Sequence, residues 1–187
     1  MRILIHTCCA LCVSKTLPAL QAEFPQNQYE LFWYNPNIHP IIEYRRRLKS
    51  VKMLAERISI PLQIEDRYEL KHFCKSIHPN YDSPMRCEIC YRMRLTLCAT
   101  AAKKSKYDAF TTSLLSSTEQ QHDLIIAIGN NVGEKIGTPF LYVDARSTVP
   151  AENWLTNLYK QSYCGCVFSE QDRYENTSLH IYQPKNK

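Results

Sequence analysis

Seven of the nine cysteines fall into three tight groups: Cys8-Cys9-Ala10-Leu11-Cys12, Cys87-Glu88-Ile89-Cys90 and Cys164-Gly165-Cys166. Packing alone gives little reason for such clustering, because neighbouring thiolates repel unless a cation or a sulfur–sulfur bond removes the charge. The spacing therefore calls for metal or redox chemistry. Cys74 and Cys98 stand alone and read as small buried hydrophobes, since free cysteine is among the most buried residue types. A disulfide framework is disfavoured. The cysteine count is odd, no signal peptide is expected, and 187 residues with 44% hydrophobic composition build a core without covalent staples.

On a helix, Cys87 and Cys90 share one face, so a single ion or cluster accepts both sulfurs. Cys8 and Cys9 complete four thiolates, a set that suits zinc or a 4Fe-4S cluster. Two features favour the cluster. Adjacent cysteines fit poorly into a zinc knuckle of two Cys-x-x-Cys pairs, and a structural zinc has no use for surplus thiols beside it. Gly165 widens the backbone angles open to the Cys164-Gly165-Cys166 loop. A disulfide across so short a loop is strained and exchangeable, so the pair reads as an electron relay, with further metal ligation as the competing role. Cys12 is left as a ligand to a second metal or as a spare thiol.

These groups need elements to position them. Apolar runs predict strands at Ile3 to His6, Tyr29 to Tyr34, Leu62 to Ile64, Tyr107 to Leu115 and Phe140 to Val143. Helical spacing predicts helices at about Leu11 to Phe24, Pro40 to Ser59, Cys87 to Lys104 and Glu119 to Ile128, with Tyr68 to His78 ambiguous. The alternation argues an α/β fold, a single-domain three-layer sandwich with a mainly parallel sheet of about five strands and right-handed crossovers. Residues 1–187 read as one catalytic domain with a frayed tail from about 175.

In such sheets ligands bind outside the carboxyl ends of the strands. Cys8-Cys9 follows the first strand, Asn35 to His39 the second, Thr111 to Ser117 the fourth and Asp144-Ala145-Arg146 the fifth. One rim therefore collects the polar loops, and a helix starting near Cys87 would bring its N-terminal dipole, which lowers a thiol's pKa, to the same place.

The 23 basic and 18 acidic residues give a net charge of +5, which permits an anionic partner. Candidate phosphate contacts are Arg45-Arg46-Arg47-Leu48-Lys49 with Lys52, Arg86 with Arg92 and Arg94, and Lys103-Lys104 with Lys106. No apolar run approaches the ~18 residues of a membrane span, so no membrane partner and a cytoplasmic location are expected. No flavin or nicotinamide fingerprint is visible, so electrons are expected from an external low-potential donor.

The motifs His6-x-Cys8-Cys9-Ala10-x-Cys12, Tyr34-Asn35-Pro36-Asn37-Ile38-His39-Pro40, Arg86-Cys87-x-x-Cys90-Tyr91-Arg92-x-Arg94-Leu95, Phe110-Thr111-Thr112-x-Leu114-Leu115 and Tyr163-Cys164-Gly165-Cys166-x-Phe168-Ser169 occur in this order. In that combination, from Ile3 to Ser169, the chain resembles the QueH-type epoxyqueuosine reductases. It departs at Leu11, where proline is expected. The resemblance implies an adenine-nucleotide-hydrolase-like (Rossmann-like) fold. It also implies reduction of epoxyqueuosine to queuosine at the wobble position of tRNA, the last step of queuosine biosynthesis. Carried over by residue, Cys8, Cys9, Cys87 and Cys90 would hold a 4Fe-4S cluster, and Cys164 with Cys166 would form a redox-active disulfide. An additional iron occurs in some members, and Cys12 is its candidate ligand here.

Candidates on the substrate side are Asn35, His39, Arg92, Arg94 and Asp144. His39, Glu43, Tyr91 and Asp144 are candidate proton sources, and Trp33, Tyr34 and Tyr163 could stack on a flipped base. Two other classes compete: a non-enzymatic iron-sulfur redox sensor, and an ATP-dependent tRNA thiolation-like enzyme. The second lacks its Gly-rich pyrophosphate loop, since Cys8-Cys9 follows the first strand.

Overall fold

The computed structural model describes residues 1–177. Four strands, β1 (Arg2–His6), β2 (Gln28–Trp33), β3 (Leu62–Ile64) and β4 (Ala109–Thr112), pair in parallel in the order β3-β2-β1-β4. That order opens the doubly wound Rossmann-type sheet. The helices are α1 (Ala10–Glu23), α2 (Ile41–Arg57), α3 (Leu70–Ile77), α4 (Met85–Lys104), α5 (His122–Ile136) and α6 (Val167–Tyr174).

Alternation along the strands sorts the core into two layers. Ile3, Ile5, Leu31, Trp33 and Ala109 pack with Val13, Leu17 and Leu20 of α1 and Leu48, Val51 and Leu54 of α2. Leu4, Phe32 and Phe110 point the other way and pack with Leu95, Ala99 and Ala102 of α4 and Ile125, Ile128 and Val132 of α5. Successive side chains of a strand face opposite sides, so a sheet apolar on both faces must be covered on both. The three-layer α/β sandwich expected from the sequence is therefore present.

The fifth strand is not. Phe140 makes one parallel bridge to Phe110, with Phe110 N–H donating to Pro139 O at 2.9 Å and Leu141 N–H to Phe110 O at 2.8 Å. The ladder stops there, and the next contact between the two segments is from a side chain, the Thr111 hydroxyl donating to Leu141 O at 2.7 Å. The fourth strand is also shorter than expected, ending at Thr112 in a 3-10 turn over Ser113–Ser116. The ambiguous Tyr68 to His78 segment forms α3. Of the tail expected to fray from about 175, all beyond Thr177 lies outside the described residues.

His6 joins three strands at the rim. It is fully buried, with Nε2 3.1 Å from Tyr34 O and Nδ1 2.8 Å from Thr112 Oγ1. A carbonyl only accepts, so Nε2 carries the proton and Nδ1 accepts from the Thr112 hydroxyl. Burial, reinforced by the charge of Arg94, lowers the His6 pKa to about 3. Between that value and its unfolded value of ~6.5 the unfolded chain binds the proton and the folded chain does not. Stability from His6 is thus fully present above about pH 6.5 and falls with acidification by up to ~1.4 kcal/mol per pH unit. In denaturant titrations from pH 7 to 4.5, the stability advantage of wild type over His6→Gln should shrink at that slope.

Candidate metal and redox centre

The turn from β1 into α1 carries the first thiol group. Cys9 is the N-cap of α1, and its sulfur accepts from Cys12 N–H at 3.2 Å and from Gln161 Nε2 at 2.7 Å. Cys8 N–H donates to Ser113 Oγ at 3.0 Å, tying this turn to the end of β4. Cys8 and Cys9 sulfurs lie 3.9 Å apart, and with Cys12 all three fall within 4.8 Å of one another. Two thiolates on one ion, at metal–sulfur bonds of ~2.3 Å, lie about 3.8 Å apart. Hydrogen bonds from Cys12 and then Cys9, with Ser113 and the charge of Arg94, pull Cys8 well below the usual thiol range. Burial, followed by Cys12 and Cys8, pushes Cys9 well above it. The three thiols hold one negative charge readily and more only with a cation among them.

The second group combines α4 with the loop before α6. Cys90 and Cys166 are buried together with Phe73 and Ile77, and Cys164 and Phe168 pack against them. Burial pushes the Cys90 thiol up to about 12, against the opposing charge of Arg94. Burial, then Cys164, pushes Cys166 up to about 11.

Arg47 straps this loop to the start of α2. It is 2% exposed, bonds Glu43 Oε1 at 2.5 Å, and donates to Cys164 O at 3.0 Å and Tyr163 O at 2.9 Å. His39 N–H donates to Gly165 O at 2.7 Å, and the Tyr163 hydroxyl to His39 O at 2.8 Å. Gly165 sits at φ +102°, where a Cβ would lie 2.9 Å from Arg47 Nη1.

Two adjoining cavities of about 240 and 260 Å³ meet here. Cys8, Cys9, Cys12 and Cys164 line the first, and Cys87, Cys90, Cys164 and Cys166 the second. Glu119, Gln120, Cys164 and Arg173 border both, so the seven clustered cysteines line two neighbouring cavities that share a wall. The donor set fits a bound metal group. It offers soft thiolate ligands, Gln161 Oε1 is buried without a partner, and so are Nε and Nη2 of Arg94.

Other residues singled out by sequence lie as follows. Cys98 is fully buried in the core and Cys74 half-buried. Of the proton candidates, Glu43 is taken by Arg47 and Tyr159, and Asp144 by Arg146 at 2.6 Å. His39 Nδ1 lies 2.9 Å from the Tyr68 hydroxyl. Tyr91 lines the second cavity, and its hydroxyl donates to Gln120 Oε1 at 3.0 Å. Trp33 is core, donating from Nε1 to Tyr44 at 3.0 Å; Tyr163 lines the first cavity. Asn35 is buried, donating to Thr7 O at 2.9 Å, and Arg92 pairs with Glu88 at 3.0 Å on the surface.

Several cations expected at phosphates lie elsewhere. Arg94 is fully buried, Arg47 is the strap, and Arg86 is buried and paired with Asp172 at 2.6 Å. Lys103 caps the end of α5 through Gly137 O at 3.0 Å. Sequence reasoning missed Gln161, Glu119, Gln120 and Arg173. The first three sit in loops without a pattern, and Arg173 sits on α6, which has no buried residue and so no apolar stripe to read.

The profile of the family described as Epoxyqueuosine reductase QueH matches residues 3–172. The chain is 33% identical to the epoxyqueuosine reductase QueH of Dehalococcoides mccartyi, over 92% of this chain and 94% of that protein. It is 31% identical to that of Thermotoga maritima, over 92% of each. A solved structure of a predicted tRNA methyltransferase subunit from Methanocaldococcus jannaschii is a distant likeness, at 11% identity and a TM-score of 0.45, covering 75% of this chain and 67% of that one. The family match runs from β1 into α6 and so includes every thiol of the three groups, which makes this chain a member of the epoxyqueuosine reductase QueH family and an oxidoreductase.

Proposed function

We propose that this chain reduces epoxyqueuosine to queuosine at the wobble position of tRNA, with residues 1–187 acting as one catalytic domain. The observation that supports this is the pair of neighbouring cavities, sharing Cys164 in their walls, that all seven clustered thiols line. The reaction breaks both carbon–oxygen bonds of the epoxide, forms a carbon–carbon double bond and releases the oxygen as water, consuming two electrons and two protons. A 4Fe-4S cluster on Cys8, Cys9, Cys87 and Cys90 would supply low-potential electrons, and an additional iron at Cys12 a Lewis acid for the oxygen.

The chain's own residues supply the rest. Oxidation of the Cys164 and Cys166 thiols to a disulfide releases two electrons and two protons, the amount deoxygenation consumes. An external low-potential donor in the cytoplasm, where the tRNA substrate resides, then restores the dithiol. Tyr91 is the proton candidate that borders the cavities. Burial, then the neighbouring Cys87, raises its pKa, so its hydroxyl stays protonated. Tyr163 offers an aromatic face for the base, held by Arg47 with its guanidinium carbon 5.3 Å from the ring centroid.

The compact Cys8, Cys9 and Cys12 set favours a second partition, in which those three sulfurs hold one ion. Cys8→Ser separates the two partitions. Loss of the cluster spectrum fits Cys8 as a cluster ligand with the ion at Cys12 beside it; a retained cluster spectrum with loss of one metal equivalent fits one ion held by Cys8, Cys9 and Cys12.

For tRNA, Arg45, Lys49 and Lys52 form one exposed stripe on α2 and make no ion pair among the described residues. Among those residues no helix is long and apolar enough to cross a membrane. Each phosphate contact contributes ~0.7 to 0.9 to the slope of log K against log salt. Changing all three residues to glutamine should therefore flatten the slope by about 2 in tRNA-binding titrations. The function itself is tested by nucleoside mass spectrometry on epoxyqueuosine-containing tRNA incubated anaerobically with metal-loaded protein and dithionite. Queuosine is the expected product, and no conversion by fully loaded protein would favour a redox sensor.

A further inference from the structure

Arg94 is fully buried, and among the described residues no carboxylate pairs with it. Among those residues its one hydrogen bond is a long one, from Nη1 to Asn35 Oδ1 at 3.4 Å, and Nε and Nη2 have no partner. Asn35 in turn is held by Thr7 O, so the guanidinium is anchored on one edge and open on the other. It lines the second cavity beside Cys87, Cys90, Cys164 and Cys166. The ionisable groups that act on its charge most strongly are Cys90, Cys164, Cys8 and Tyr91. Arginine does not shed its proton in proteins, and an uncompensated buried cation is costly. Cys164, which shares the second cavity with Arg94, also borders the first, where Cys8, Cys9 and Cys12 lie.

We propose that Arg94 is the internal counter-charge of the cysteine centre, a positioning residue that stabilises its anionic sulfurs and sets the reduction potential of the metal group they hold. A fixed cation next to a cluster favours the reduced, more negative state and so raises the potential, with net charge and hydrogen bonds to sulfur as the levers. The open Nε and Nη2 donors supply both at once.

This rests on the reading of the thiols as a metal centre, and the experiment separates the two. Metal-loaded wild type, Arg94→Met, Arg94→Gln and Arg94→Lys are titrated redox-potentiometrically without tRNA, followed by absorbance and electron paramagnetic resonance. The neutral variants should shift the midpoint to lower potential by at least a tenfold change in the reduction equilibrium, ~59 mV for one electron. Arg94→Lys should keep the midpoint within a third of that shift. Metal loading should also raise the melting temperature of wild type more than that of Arg94→Met, because only wild type buries an unanswered cation when metal-free. An unshifted midpoint in a folded, loaded neutral variant overturns the proposal while leaving the metal centre standing. If neither neutral variant folds, Arg94→Lys decides: folding with a wild-type midpoint upholds the charge, and failure to fold assigns Arg94 to shape and overturns it. A wild type that binds no metal overturns both readings.

Discussion

Serine at position 9 is expected to strip the centre of metal and stop queuosine formation while leaving the chain folded. Cys9 has two roles that this substitution separates. As N-cap of α1 it accepts from Cys12 N–H, and serine is at least as good a helix cap as cysteine. As a metal ligand it offers a soft thiolate, which a hydroxyl that stays protonated at neutral pH does not replace. The loss of turnover should exceed the ~10- to 100-fold typical of losing an outer-shell partner. Cys98→Ser is the control. It puts a hydroxyl in the fully buried interior of α4, away from both cavities, and should cost ~1–3 kcal/mol of stability while metal content stays at the wild-type level. Metal analysis and turnover, set beside denaturant unfolding of the metal-free chains, distinguish the two. Normal metal content in Cys9→Ser would remove Cys9 from the ligand set.

Alanine at position 165 should be nearly as damaging, for a reason that involves no ligand. The residue sits at φ +102°, and its new Cβ would meet Arg47 Nη1 at 2.9 Å and Ile38 Cγ1 at 3.0 Å. Arg47 cannot swing aside cheaply, because Glu43, Tyr163 O and Cys164 O hold its guanidinium. Backbone strain of this kind costs on the order of 1–3 kcal/mol, and the displaced loop carries both Cys164 and Cys166. A shift of about 1 Å in reacting groups is worth ~100-fold in rate, so turnover should fall by about that factor. Denaturant unfolding and single-turnover kinetics measure the two effects. In an Arg47→Ala background the further cost of Gly165→Ala should fall by the part due to the clash with Arg47 and keep the part due to φ and to Ile38. No further cost in that background would mean that the backbone angle is unimportant.

Much of this architecture is legible in one dimension because it is local. Apolar runs at Ile3 to His6 and Tyr29 to Tyr34, each followed by helical spacing, point to a parallel sheet covered on both faces. Cys8 and Cys9 must sit at its rim because they follow directly on β1. The three thiol groups, and the redox or metal chemistry they imply, are likewise properties of spacing. The single bridge at Phe140 is not local, since it joins segments 30 positions apart, where the Thr111 hydroxyl also donates to Leu141 O. Nor is the course of α6, which lies on the surface without a buried side chain.

The arginines divide most sharply. Arg45 and Arg47 are neighbours in a single basic run, yet Arg45 is exposed on α2 and Arg47 is buried against Tyr163 and Cys164. Arg92 and Arg94 separate the same way, one in solvent and one among the thiols of α4 and the loop before α6. The sequence by itself determined the layers, the rim and the chemical type of the centre, because backbone periodicity and thiol clustering are written in adjacent residues. Only the tertiary structure decided which cysteines share a cavity and which cations serve them. Burial and electrostatic environment come from segments far apart in the chain, as the bonds from Arg94 to Asn35 across 59 positions and from Gln161 to Cys9 across 152 show.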